Sequence, residues 1–320
     1  MLSAVLALVG ALIYGSADFL GGLAAKRLRS IIVTSVAAAS GFVLLACLYP
    51  FIGGAWSATD VAWGALSGLF GVGAIVLLYA CLAIGPMSIL SPLTAVVSAI
   101  APMLWGLTVN GETLSGLGYA GLAVALVAVV LVGFIPGEKV VRPRTSGLVM
   151  AVGAGICIGG FLIVIDQTSA QSGLVPLVVN RATSTVITAA VIAVLAGVAV
   201  RRGQAAASVL EVSGNGVGAM PSGHADLEHA QHLPTTITST LTRSRAWWLA
   251  ITCGAVDAIA NVALLLALRA GELSIVSALT ALYPAGTILL AAIVLRERIA
   301  AVQWVGLALA VAAGVMLAVG

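Results

Sequence analysis

The sequence predicts an all-α integral membrane protein with ten transmembrane helices, arranged as two inverted five-helix repeats. Hydrophobic residues fill 61% of the 320 positions and charged residues 8%, against about 25% charged in soluble domains; mean hydropathy is +1.19. The apolar residues gather in ten runs, each close to the roughly 20 residues that cross a hydrocarbon core about 30 Å thick. The chain also repeats itself. Residues 85–95 (GPMSILSPLTA) return as 271–281 (GELSIVSALTA) with seven of eleven positions identical, where about one match is expected by chance.

The first run, 2–25, lacks a leading basic segment and exceeds the roughly 7 to 15 apolar residues of a cleavable signal, so it reads as a span. Lys26, Arg27 and Arg29 follow it. The runs 31–52, 61–84, 89–109 and 117–135 stop at Gly53-Gly54, Gly85-Pro86, Asn110-Gly111 and Pro136-Gly137, all turn formers that predict helical hairpins. A second set covers 147–165, 174–200, 247–268, 275–295 and 299–319. None shows the alternation of barrel strands, and lipid admits only helices or closed barrels.

The displacement of 186 that relates the two motifs also pairs Gly68 with Gly254, Ala74 with Ala260 and Leu78 with Leu264; at 185, Glu112 meets Glu297. The first repeat is therefore placed at 1–135, a connecting loop at 136–146 and the second repeat at 147–320. A polar insertion at 203–245 contains Ser213-Gly214-Asn215-Gly216 and Pro221-Ser222-Gly223 and is expected to be disordered. Five spans per copy is an odd number, so the second copy enters the membrane from the opposite side. In transporters that topology sets the substrate site near the midplane, between the repeats.

Twelve of the fourteen lysines and arginines follow spans 1, 5, 7 and 9; the others are Arg181, within span 7, and Arg269, at a helix end. The positive-inside rule then puts both termini outside, and a bacterial cytoplasmic membrane is the expected location. No basic patch points to nucleic acid. Cys47, Cys81, Cys157 and Cys253 lack paired spacing, so neither disulfide nor metal is expected from them. His224, His229 and His232 lie in the insertion with Asp226 and Glu228, without the framework of a zinc site. No phosphate-binding loop, acid cluster or nucleophile with a positioned base is visible, so no cofactor and no enzymatic activity is expected. The alternatives left open are a membrane enzyme acting on a lipid-linked substrate and a passive channel.

An ionisable residue at a helix centre costs about 2.5 to 3.5 kcal/mol on insertion scales, so it needs a partner or a wet cavity. Asp257 in span 8, with Asn261 one turn on, and Asp18 in span 1, with Tyr14 one turn before, are the sharpest candidates. Arg181 requires an anion, and Asp166 at the end of the preceding span is the near partner in sequence. Ser91, Thr94 and Ser98 in span 4 and Ser277, Thr280 and Tyr283 in span 9 form polar stripes that either line a cavity or pack helices closely. Tyr79 in span 3 adds a hydroxyl. The expected partners are a small-molecule substrate and the lipid bilayer. Proton or other ion coupling remains open, with Asp257 and Asp18 as its sites, and no oligomeric state is legible.

Several segments together resemble the EamA family of the drug/metabolite transporter superfamily. They are Tyr14-Gly15-Ser16-Ala17-Asp18-Phe19-Leu20-Gly21-Gly22, the Gly85/Ser88 and Gly271/Ser274 pairs, and Gly111-Glu112-Thr113-Leu114-Ser115 with Arg296-Glu297-Arg298-Ile299. The resemblance implies a ten-helix secondary carrier with a central cavity lined mainly by the first, third and fourth helices of each repeat. It implies transport of small metabolites or amino acids, often outward.

Overall fold

The computed structural model describes residues 1–25, 27–84, 87–133, 145–203, 205, 242–294 and 300–319, and their side chains other than those of 79–89 and 91–92. Regular structure among them is helical: α1 (Leu2–Ala25), α2 (Ser30–Ile52), α3 (Ala58–Ile84), α4 (Met87–Thr108), α5 (Gly116–Val132), α6 (Thr145–Asp166), α7 (Val175–Arg201), α8 (Arg243–Ala270), α9 (Leu273–Thr280), α10 (Pro284–Val294) and α11 (Ala301–Val319). Among the described residues, eight spans are long and apolar enough to cross a membrane, with α9 and α10 counted together as Leu273–Val294. Leu93–Thr108 and Gly116–Val132 are shorter apolar helices. Most of the 203–245 insertion, with its histidines, lies outside the described residues, as do Lys26 and Glu297. Its end departs from expectation, because α8 already starts at Arg243, where the Thr242 hydroxyl caps the helix by accepting the Arg245 N–H at 3.3 Å.

A second departure is the break in span 9, which the sequence reads as one helix. Residues 281–283 form a turn in which the Leu282 and Tyr283 N–H groups reach back to Leu279 and Thr280 carbonyls at 3.1 and 3.0 Å. Pro284 has no N–H to continue the ladder, and its ring excludes the carbonyl four residues back. The matching position in the first half is Ser98, and α4 runs unbroken through it.

The helices pair across the two halves of the chain. α1 lies along α8, α3 along α6, and α5 along α11, while α2 packs on α7 and α8, α3 on α7, and α4 on α6 and α9. Lipid offers no hydrophobic drive for helix association, so close backbone contact must supply it. A Cβ on Gly254 would overlap the carbonyl oxygen of Ala37 and the hydroxyl of Ser40, and Ser40 donates to the Ile251 carbonyl at 3.0 Å. Glycine is what brings α2 onto α8.

The turns after α2, α4, α6 and α8 meet at one end of the bundle. Ala55 N–H donates to the Gln171 carbonyl at 2.8 Å and Leu174 N–H to Gly53 at 3.2 Å. Gly53 (φ 75°) and Gly173 (φ 53°) occupy left-handed backbone there, which suits glycine. Asp60 accepts the Ser169 N–H and hydroxyl, both at 2.8 Å, and Arg269 donates to the Gly173 carbonyl at 2.8 Å and the Ser172 hydroxyl at 3.2 Å. Glu112, on the turn before α5, receives the N–H groups of Leu273 at 2.8 Å and Ser274 at 3.0 Å, so it caps the orphan donors of α9 from a distant part of the chain. Next to this cap, Glu272 is held above the usual carboxylate range by burial first and by the Glu112 charge second.

Replacing Gly254 by Val should separate α2 from α8 and lower the thermal midpoint of the detergent-purified protein, in line with the roughly 1 to 3 kcal/mol cost of overpacking. An unchanged midpoint would show that this contact does not hold the bundle. Because Glu272 binds its proton more tightly when folded, its contribution is present at low pH and is lost as pH rises from its unfolded value, about 4.3, through the folded one. Glu272→Gln should match the wild-type midpoint below about pH 4 and exceed it above; parallel pH curves would exclude this linkage.

Candidate functional site

Asp257 is the fifteenth residue of the 28-residue α8, about 21 Å from the helix start at 1.5 Å per residue and so near mid-depth. Helical spacing puts Asn261 on the same face one turn later. Its amide donates to the Asp257 carbonyl at 2.8 Å and lies 3.4 Å from the Asp257 carboxylate. Its oxygen accepts the Tyr14 hydroxyl from α1 at 2.6 Å. Arg181 reaches in from α7 and forms an ion pair with Asp257; the two side chains are 16% and 3% exposed. The stem of Arg181 passes Gly41 of α2, where a Cβ would sit 3.5 Å from Arg181 Cδ. One residue earlier, Asn180 donates to the Ser67 hydroxyl at 2.8 Å, which fixes α7 against α3.

These groups border a cavity of about 140 Å³ lined from both halves of the chain. Of the residues singled out from the sequence, Tyr14, Asp18, Arg181, Asp257, Asn261, Thr280 and Tyr283 line it. Thr94, Ser98 and Ser277 are buried but are not among the lining residues. Thr94 donates to the Leu90 and Ala151 carbonyls at 3.0 and 3.1 Å, Ser98 to Ala95 at 2.8 Å, and Ser277 to Ser274 at 3.0 Å. The side chains of Tyr79 and Ser91 lie outside the described residues. Asp166, the near partner in sequence, is not what Arg181 meets: its carboxylate accepts the Asn110 amide at 3.2 Å, and helix packing delivers Asp257 instead. Thr34, Asn180 and Ser184 also line the cavity; none of them stands out in the sequence, although Asn180 directly precedes Arg181 and Ser184 follows it by about one turn.

Among the described residues, no group of His, Cys, Asp and Glu could hold a metal ion, and Cys47, Cys157 and Cys253 are free thiols. The charged pair near the middle of α8 thus sits at a cavity surrounded by membrane-length helices. Residues 180–319 match the EamA-like transporter family. The match covers a little under half of the chain, all of it in the second half. That family belongs to the drug/metabolite transporter superfamily, whose EamA members are transporters rather than enzymes. This chain is an integral, multi-pass membrane protein. No curated protein sequence matches it. Several solved structures match, among them a crystal structure that shares the fold with a TM-score of 0.63, 14% identity, and coverage of 99% of this chain and 98% of that one.

Removing one member of a buried ion pair strands the other, at a cost of about 3 to 5 kcal/mol, whereas replacing both with apolar residues is often neutral. Asp257→Leu should therefore lower the thermal midpoint markedly, and Arg181→Met combined with Asp257→Leu should recover most of the loss. If the double variant were as unstable as the sum of the single ones, the pair would not be the energetic unit described.

Proposed function

We propose that this EamA-like protein is a secondary transporter that moves a small metabolite, an amino acid or a related solute, outward across a bacterial cytoplasmic membrane by alternating access. The observation that carries this reading is the mid-depth cavity holding the Arg181–Asp257 pair, bounded by helices from both halves. A buried ion pair is costly to hold and easy to bias, because a solute or proton that engages one partner changes the balance of the other.

We read the halves 1–135 and 147–320 as inverted repeats. The sequence duplication supports this, and so does the pairing of helices. α1 against α8 and α3 against α6 are the same contact with the halves exchanged, as are α2 against α8 and α3 against α7. Rocking of one half against the other around a fixed site is the motion such pairing permits. In this conformation one end is tied by the Gly53–Leu174 and Arg269–Gly173 bonds, so access from that side requires those contacts to part. By the charge count that end, together with both termini, lies outside. Asp257, and with it Asp18, would couple solute movement to a proton through the state of the ion pair.

Counterflow in proteoliposomes over a panel of amino acids and small metabolites tests this. A carrier should show saturable uptake of labelled solute that is accelerated by unlabelled solute trapped inside, and Asp257→Asn should keep exchange while losing acceleration by a pH gradient. Flux linear in concentration without counterflow would identify a channel, and full pH-driven transport by the Asn variant would remove Asp257 from coupling.

A further inference from the structure

Gly71 differs from the glycines that seat helices. A Cβ on Gly68, one turn earlier, would lie 2.8 Å from the Asn180 carbonyl oxygen, whereas a Cβ on Gly71 meets nothing within 4 Å. Gly71 lines the cavity, so the missing side chain there is cavity space rather than a packing requirement. Its level follows from the helix ends. α3 begins and α8 ends at the tied end of the bundle, and Gly71 and Asp257 each lie thirteen residues from it, about 20 Å at 1.5 Å per residue. The open space is therefore level with the ion pair. Around it Ile75, Ile158, Phe161 and Leu162 present hydrocarbon. The cavity volume of about 140 Å³ is close to that of an engineered apolar cavity, about 150 Å³, that takes up benzene.

The polar groups of the cavity fall into two kinds. Threonines packed elsewhere in the bundle donate to the carbonyl one turn back, as Thr94 does to Leu90 at 3.0 Å and Thr188 to Ser184 at 2.7 Å. Thr34 of α2 and Thr280 of α9 do not. Both line the cavity, are only 5% and 9% exposed, and have hydroxyls with no hydrogen-bond partner among the described residues. Buried hydroxyls are nearly always bonded, so these two are available to what enters the cavity. The charged groups are in the opposite condition. Arg181 and Asp257 hold each other, and Asp18 has interactions of its own within the protein. An ionic solute would have to break into the Arg181–Asp257 pair to find a counter-charge, at the expense of the partner it strands. An uncharged head group needs only a hydroxyl.

We propose that the cavity binds an uncharged solute with a short apolar body and a head group that both donates and accepts hydrogen bonds, such as a carboxamide. The head bonds Thr34 or Thr280, the body lies against α3 and α6, and Gly71 sets the length of body admitted. This deepens the transporter reading and rests on it for the translocation of the bound solute.

Binding of pentanamide, pentanoate and pentylamine to the full-length protein in detergent at pH 7, read by calorimetry and thermal shift, tests the proposal. Pentanamide should bind at least about tenfold more tightly than the anionic or the cationic probe of the same length. Gly71→Leu, which fills the space, should weaken pentanamide about tenfold or more and propanamide less than about threefold, since each methylene excluded from an apolar pocket costs about 10- to 200-fold. Gly71→Ala should act the same way by less, and it carries the test if the Leu variant fails to fold. Thr34→Val or Thr280→Val should weaken pentanamide about three- to tenfold without lowering the thermal midpoint of the unliganded protein, because no hydrogen bond within the protein is lost. Equal binding of pentanoate or pentylamine, or an equal effect of the Gly71 substitutions on short and long amides, would overturn the proposal. So would unchanged pentanamide affinity in both Val variants, which would mean that these hydroxyls serve the protein or water only. Selective amide binding without counterflow would sink the transporter reading and leave this site standing. Counterflow of another solute with no amide binding would sink this inference alone.

Discussion

The ion pair between Arg181 and Asp257 constrains more of this molecule than any other contact. Moving a carboxylate or a guanidinium out of water costs several kcal/mol even after relaxation, so neither residue is tolerable at mid-depth unless the other is in place. That requirement ties α7 to α8, which both pack on α2. It also reaches further, because Asn261 shares the Asp257 face by helical periodicity and takes the Tyr14 hydroxyl at 2.6 Å, which sets α1. The α2 helix meets α8 where Gly41 and Gly254 face each other's backbone, an added Cβ on either pressing on a carbonyl oxygen of the other helix, so α2 is seated too. Four helices are thereby arranged around one pair of charges.

Elsewhere the bundle is held by backbone proximity. Thr287 donates to the Gly15 carbonyl at 3.0 Å, and Thr94 bridges α4 to the Ala151 carbonyl of α6. Hydroxyls used this way are satisfied by main chain and need nothing from a solute. The polarity of the cavity then falls to α1, α7, α8, Thr34 of α2, and Thr280 and Tyr283 at the end of α9 and in the turn after it, while α3 and α6 present hydrocarbon. The difference between the walls follows from which small polar residues have been spent on packing.

The helical passes are legible in the sequence because hydropathy and length decide them. The break before Pro284 is not read that way, because hydropathy gives one run over 275–295; its trace in the sequence is a proline whose counterpart in the first half is Ser98. What the sequence does not carry is the partner of Arg181. Asp166 is nearer along the chain, and only the packing of α7 and α8 on the same helix, α2, could favour Asp257. The polar stripes mislead for a related reason. Periodicity gives a face, not its neighbour, so Thr94, Ser98 and Ser277 read the same as Thr280 although only Thr280 borders the cavity. Thr34 gives no signal at all, being a single hydroxyl inside an apolar run.

The short helix α9 connects two places that are otherwise far apart. Its first N–H groups are held by Glu112 from the turn before α5, and its last residue, Thr280, stands at the cavity with Tyr283 of the following turn. Helices resist axial deformation, because changing their length breaks internal hydrogen bonds, so eight residues behave as a rod. A displacement at the Glu112 turn would therefore be carried along α9 to Thr280, and the turn at 281–283 is the joint between it and α10. On the other side α4 has no such joint, since it continues unbroken past Ser98. Any movement that opens the cavity must then be taken up unequally, by flexion of the α9–α10 arm and by rigid displacement of α4 with the α6 helix on which it packs.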